Sequence, residues 1–304
     1  MGIETAPVRE LIAALARRHE EARGGARGVL VGLVGRGIGS SRSPRMHERE
    51  GRRLGLRYSY VLIDLDSLGL ADVALPEVLR AAADLGFAGL NVTHPFKQSV
   101  IAHLSDLAPE AAAIGAVNTV VFEPGRRLGH NTDSWGFAES FRAALGNAPL
   151  ERVVQFGAGG GGAAVAHALL QLGADALDLC DPDLDRAKRL AGSLSERFGR
   201  TVAAVTDPLA ALGGASGAVN ATPVGMEKYP GVPFDTGALT ARHWVADIVY
   251  FPPETELLRR ARALGCRTLA GTGMAIFQAI KAFELFTGLS ADRESMTEHF
   301  EAAA

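Results

Sequence analysis

The sequence predicts an α/β protein of two domains built on mostly parallel sheets. Apolar, β-branched runs alternate with helical patterns almost throughout the chain. The intervals between those runs are long enough for the crossovers that parallel strands need. The loops also change near residues 134–151, from polar and rich in functional groups to glycine-rich.

In chain order, MGIETAPVRELIAALARRHEEARGG patterns as a charged amphipathic lead with no apolar signal-peptide core. Strands are expected at 29–34, 58–63, 87–91 and 117–122, with a helix over 69–85. A domain boundary is placed on a helix around 134–147. Beyond it, strands at 152–156, 175–180, 201–205, 216–220 and 244–248 alternate with helices at 162–172, 183–198 and 254–264. The stretch GMAIFQAIKAFELFTG is helical with one apolar face, suited to pack back on the first domain. The expected division is 1–135 with 275–304 as a substrate-binding domain, and 136–274 as a nucleotide-binding domain.

Of 304 residues, 47% are hydrophobic, enough for a full core without covalent staples. The net charge is −3 and no long basic run occurs, which argues against nucleic acid or an anionic membrane as partner. Cys180 and Cys266 have no metal or redox spacing and read as small buried hydrophobes in a reducing compartment. No segment is long enough to span a bilayer, so the expected location is the cytoplasm. The oligomeric state is open between monomer and homodimer.

Gly157, Gly159 and Gly162 form GxGxxG between the strand RVVQF and a helix. In that setting the glycines give a tight turn, a close approach to a pyrophosphate and close helix–strand packing, with the helix N-terminus facing the negative charge. The Rossmann-type fingerprint also wants an acid about twenty residues on, and Asp181 closes the strand ALDLC. A carboxylate there accepts from both ribose hydroxyls and repels a 2′-phosphate. Pro182 follows, with no arginine beside it, so NAD is expected rather than NADP. Arg186 either reaches the ribose region or solvates the next helix.

GLNVTHPFKQ ends an apolar run with hydrogen-bonding groups and the amine of Lys97. GHNTDSWG places Asp133 at the start of a helical pattern. Taken singly, one is a surface lysine and the other a helix cap. Both follow strands of the same domain, where ligands bind in open α/β sheets. An amine held by a carboxylate can relay the proton that hydride transfer at a carbinol requires. No His/Cys cluster has zinc-ligand spacing, so no metal is expected.

These motifs, in this order, resemble the shikimate dehydrogenase family from about residue 28 onward. SSRSPRMHE looks like its substrate loop, with Ser41 and Ser43. GLNVTHPFK looks like its Asn-Val-Thr-x-Pro-x-Lys, with Asn91, Thr93 and Lys97. GAVNTV supplies Asn118 and GHNTDSWG supplies Asp133. GAGGGGA, with Gly157, Ala158, Gly159, Gly160 and Gly161, is similar to the cofactor loop. NATPVGM, with Thr222, Val224 and Met226, is similar to a second one. DIVYFPPETELL carries Tyr250, and GTGMAIFQA carries Gly273, Met274 and Gln278.

The resemblance implies a polyol-carboxylate-binding first domain, a Rossmann-like second domain and C-terminal helices returning to the first. It implies hydride exchange between a ring carbinol and nicotinamide. Ser41 and Ser43 would hold the carboxylate, Asn91, Thr93, Asn118 and Gln278 the ring hydroxyls, and Lys97 with Asp133 the proton. NADP-using members carry Asn-Arg-Thr where this chain has Asp181-Pro182-Asp183. That is similar to NAD-dependent quinate/shikimate dehydrogenases of actinobacterial type. An aminoshikimate-oxidising relative is also similar, and a ligand sensor would be expected to have lost Lys97 or Asp133. His47 reads as a packing residue, His94 as pointing away, His130 as unassigned, and Trp135 and Phe137 as core.

Overall fold

In the computed structural model, residues 5–20 and 28–301 are described. The chain divides into two compact units, Met1–Thr132 with Ala279–Ala304, and Asp133–Gln278.

The first unit opens with α1 (Thr5–Glu20), β1 (Gly28–Gly35), α2 (Ser43–Arg53) and β2 (Arg57–Asp64). It continues with α3 (Leu75–Asp84), β3 (Gly89–Val92), β4 (Asp106–Leu107), α4 (Pro109–Ile114), β5 (Thr119–Glu123) and β6 (Arg126–His130). The sheet order is β2-β1-β3-β5-β6-β4. Strands β1, β2 and β3 are parallel, but β5 is antiparallel to both β3 and β6. Strands β4 and β6 are parallel, so the sheet is mostly parallel as expected and is made mixed by β5 alone, which runs against the other five. The cause is the hairpin between β5 and β6, turned by Gly125 at φ 71°. Strand β1 alternates cleanly: Leu30 and Val34 enter one core cluster, Val31 and Leu33 the other. Both faces are thus covered, as a period of two requires. Val8, Ile12 and Ala16 put α1 into the first of these clusters, beside α3. The helix expected over 69–85 begins only at α3, where Pro76 suits the first turn.

Helix α5 (Thr132–Leu145) leads into the second unit, with β7 (Arg152–Phe156), α6 (Gly160–Gln171), β8 (Ala176–Cys180), α7 (Leu184–Phe198) and β9 (Thr201–Ala204). Then come α8 (Pro208–Gly213), β10 (Gly217–Asn220), β11 (Trp244–Asp247), α9 (Glu256–Ala263) and β12 (Arg267–Leu269). The sheet order β12-β11-β10-β7-β8-β9 is parallel throughout, the doubly wound dinucleotide-binding order. The chain then runs through α10 (Gly271–Thr287) to α11 (Arg293–Glu301). In the first unit Phe283 stacks on Tyr58 with ring centroids 5.1 Å apart, and α11 lies against α2.

Candidate active site

In the first unit β1, β2 and β3 end at Gly35, Asp64 and Val92, so their following loops share one sheet edge. Antiparallel β5 starts at that edge, with Thr119 opposite Asn91, and β6 ends there with His130. The register thus gathers residues 36–43, 93–97, 117–119 and 130–132 beyond the strand ends, where such folds bind ligands.

Asp64 shapes the first of these loops. Its buried carboxylate accepts from the amides of Gly37 at 3.0 Å, Ile38 at 2.9 Å and Asp66 at 3.1 Å. This turn delivers Ser41, whose amide donates to Ile38 O at 2.9 Å. The Ser43 amide donates to Ser41 Oγ at 3.3 Å at the start of α2. Ser41, Ser43, Thr93 and Lys97 are all half-buried. The Thr93 amide donates to Val34 O at 3.0 Å, and the Val117 amide to Lys97 O at 2.7 Å. Phe96, between them, is 1% exposed and anchors the turn in the core. The backbone carrying Lys97 is therefore tied both to β1 and to the approach to β5.

Asn91 and Asn118 lie in a buried hydrogen-bonded chain with Tyr60, Thr119 and Thr132. His130 Nδ1 meets Glu110 Oε1 at 2.9 Å. His94 is exposed. His47 packs as expected: its ring lies 4.9 Å from that of Tyr60, Nδ1 meets Tyr58 Oη at 3.0 Å, and burial pushes its pKa down to about 3. No motif marks Tyr60 or Asp64, and Thr119 lies within GAVNTV without being singled out there. The only signal in the sequence for Asp64 is a lone carboxylate closing the apolar strand YVLID.

In the second unit the chain winds from β7 out through β8 to β9, then returns through α8 to β10 on the other side of β7, which puts a topological switch point at the end of β7. Gly157 follows β7 at φ 98°, a conformation that favours glycine, and its amide donates to Cys180 O at 2.7 Å. A side chain on Gly162 would strike the Gly157 carbonyl. Gln155 Nε2 donates to the carbonyls of Gly157 and Gly162, each at 2.8 Å, and so locks the turn from beneath. A Cβ on Gly159 would meet nothing within 4 Å, which leaves the face over the start of α6 open. Gly160 and Gly161 form the first turn of that helix. An open glycine face at a helix N-terminus fits a pyrophosphate.

Asp181 follows β8 and is fully engaged. Its Oδ2 accepts from the Ala158 amide at 2.7 Å and Oδ1 from the Asp183 amide at 2.8 Å. Arg186 Nη2 pairs with Oδ1 at 2.6 Å. Burial pushes this carboxyl up, but Arg186 and the two amides outweigh burial and hold it below its ordinary value. Arg186 therefore sits on Asp181 instead of only solvating α7. Neighbouring Cys180 is pushed up to about 12 by burial, so it offers no nucleophilic thiolate.

A second loop follows β10. Asn220 Nδ2 donates to Val224 O at 2.8 Å and to Asp247 Oδ1 at 2.9 Å. Asn220 Oδ1 accepts from the Thr222 amide at 3.0 Å and hydroxyl at 2.7 Å. Asp247 also accepts from Val249 N at 2.9 Å and Thr255 Oγ1 at 2.7 Å, yet burial dominates and raises its pKa to about 6. Thr222 and Val224 are half-buried, while Met226 and Tyr250 are exposed.

At the start of α10 a Cβ on Gly273 would strike Ser140 Oγ, and one on Gly136 would lie 2.8 Å from Gln278 N. These glycines let α5 and α10 cross closely. Met274 is buried, and Gln278 Nε2 donates to Ala275 O at 2.9 Å. Phe137 is core, but Trp135 is 37% exposed with an edge contact to Phe277. Two helical steps separate their directions by about 200°, so both cannot face inward. Among the described residues no cluster of His, Cys, Asp and Glu could hold a metal, and no helix is long and apolar enough to cross a membrane.

Residues 33–120 match the family described as shikimate dehydrogenase substrate binding domain, and residues 271–299 the shikimate 5'-dehydrogenase C-terminal domain. A relative from Streptomyces avermitilis, named shikimate dehydrogenase (NADP(+)), is 58% identical over 88% of this chain and 93% of its own. One from Corynebacterium efficiens, named quinate/shikimate dehydrogenase (NAD(+)), is 49% identical over 90% of this chain and 97% of its own. Among solved structures, quinate dehydrogenase from Corynebacterium glutamicum in complex with NAD is similar at a TM-score of 0.84 and 47% identity. The likeness covers 90% of this chain and 99% of that one.

Proposed function

This chain belongs to the shikimate dehydrogenase family of oxidoreductases, and from that premise we propose that it interconverts quinate with 3-dehydroquinate and shikimate with 3-dehydroshikimate, using NAD. The observation that supports this cofactor most is Asp181, a carboxylate hydrogen-bonded to Ala158 of the glycine loop. The names of the relatives divide between NADP(+) at 58% identity and NAD(+) at 49%, so overall similarity does not choose. A 2′-phosphate at Asp181 would meet like charge, only partly offset by Arg186.

The bound nicotinamide supplies the hydride acceptor for oxidation and the donor for reduction. The chain binds, orients and handles the proton. Backbone amides at Gly159, Gly160 and Gly161 would face the pyrophosphate over the turn shaped by Gly157 and Ala158, whose own amides are spent on Cys180 O and Asp181 Oδ2, and Asp181 would accept from the ribose hydroxyls. Arg186 shifts aside or shares the carboxylate. Thr222, Val224, Met226, Gly273 and Met274 flank the nicotinamide half. Ser41 and Ser43 donate to the substrate carboxylate without adding charge. Thr93, Asn118, Tyr250 and Gln278 hold the polyol acid, and Asn91 supports them. Lys97 takes the carbinol proton in oxidation and returns it to the developing alkoxide in reduction. Asp133 is the carboxylate that the family resemblance assigns to the same proton-handling step.

The test is turnover of quinate, shikimate and aminoshikimate with NAD. Production of reduced nicotinamide with the first two is expected. Turnover of aminoshikimate alone would replace the substrate, and turnover of none would refute the reaction.

A further inference from the structure

The Asn118 amide can face a ligand with either its oxygen or its nitrogen, and two backbone groups settle which. The Thr132 amide can only donate, and it meets one terminal atom of Asn118 at 2.8 Å; that atom is therefore Oδ1. The Asn118 carbonyl can only accept, and it meets one terminal atom of Asn91 at 3.3 Å; that atom is therefore Nδ2. The polarity of the remaining bonds follows. Asn91 Nδ2 also donates to Thr119 Oγ1 at 3.0 Å. Thr119 Oγ1 then gives its own hydrogen to Asn118 Oδ1 at 3.1 Å. Asn91 Oδ1 accepts from Tyr60 Oη at 2.8 Å.

Asn118 Oδ1 is thereby saturated, since Thr132 Oγ1 also lies 3.2 Å from it. Asn118 Nδ2 donates to Thr132 Oγ1 at 2.9 Å and keeps one hydrogen. Asn91 has committed both of its hydrogens. All five residues are buried, so reversing either amide would leave polar groups facing like partners in a dry interior.

We propose that Thr119 and Tyr60 are positioning residues for the polyol acid. Directly and through Asn91, they lock Asn118 so that it offers one N–H, and no acceptor, to a ring oxygen. The inference rests on the polyol-acid reading above, and it makes Asn91 a strut behind Asn118, not a contact. A ring ammonium has no lone pair to receive that hydrogen, so the position facing Asn118 selects a hydroxyl or a ketone.

The test compares Thr119→Val, Thr119→Ser and Tyr60→Phe with the unaltered protein. Dissociation constants for quinate and shikimate are read by calorimetry, and KM for polyol acid and for NAD by steady-state kinetics. Thr119→Val is expected to weaken polyol-acid affinity about tenfold. NAD KM should stay within about twofold, and Thr119→Ser should restore most of the loss. Tyr60→Phe, which leaves the sheet register untouched, is expected to weaken it about threefold and carries the test if Thr119→Val does not fold. Unchanged polyol-acid affinity, or an equal loss for NAD, would overturn the proposal. Turnover by the unaltered protein decides the reaction separately: binding without turnover refutes the reaction but leaves the positioning readable. Absence of binding by the unaltered protein overturns both.

Discussion

Replacing Asp181 by alanine is expected to remove most of the preference for NAD over NADP. At an effective dielectric constant near 20, two unit charges about 4 Å apart interact by about 4 kcal/mol. A 2′-phosphate brought to Asp181 meets that repulsion, while Arg186, paired at 2.6 Å, cancels a large part of it. A remainder of roughly 2 kcal/mol is about 30-fold in kcat/KM. The variant also loses an acceptor for the ribose hydroxyls of NAD, about 1 kcal/mol or fivefold. It leaves Arg186 free to meet a phosphate. The ratio of kcat/KM for NAD to that for NADP should therefore fall by roughly 100-fold. The amides of Ala158 and Asp183 lose their acceptor, so some stability is lost too, but this affects both cofactors alike and cancels in the ratio. The assay is steady-state absorbance of reduced nicotinamide at saturating polyol acid, with thermal unfolding as the control. A change in ratio smaller than about threefold would refute the ribose role of Asp181.

Lys97→Ala should lower kcat by roughly 100-fold or more while NAD affinity, read by fluorescence titration, stays nearly unchanged; equal loss of both would make the lysine structural. Ser43→Thr should change the quinate-to-shikimate ratio of kcat/KM more than it changes the unfolding temperature, and an unaltered ratio would remove Ser43 from substrate choice. Asp247 has its pKa raised to about 6 by burial, above the unfolded value of about 3.9, so the folded state holds the proton more tightly. Its contribution favours folding at low pH and is lost as pH rises from about 4 through about 6, on the order of 3 kcal/mol in all. Asp247→Asn keeps an acceptor for Asn220 and Val249 and should flatten that slope and raise the unfolding temperature at pH 7.5. An unchanged pH dependence in calorimetry would count against it.

The glycine loop and Asp181 were legible because their chemistry is local: a turn, a helix start and a strand end follow one another in sequence. The strands with β-branched cores were legible for the same reason. Strand β6 was not, since RRLGH is short, half-exposed and without alternation. Helix α2 was hidden inside a loop motif because only Met46, His47, Glu50 and Gly51 face inward, and two of those four are polar. Tyr60 and Thr119 read as ordinary strand residues. Their roles come from the register that sets Asn91 opposite Thr119 and from a hydroxyl reaching across 31 residues of sequence, which no local pattern encodes.

On the proposed function, a polyol acid is oxidised at a site whose cofactor is chosen at Asp181. The most direct measurement is kcat/KM for quinate and for shikimate, each with NAD and with NADP. Turnover of both acids with NAD, at least 30-fold above that with NADP, is the expected result. Equal or better turnover with NADP would contradict the cofactor assignment, and no turnover with any pair would contradict the reaction itself.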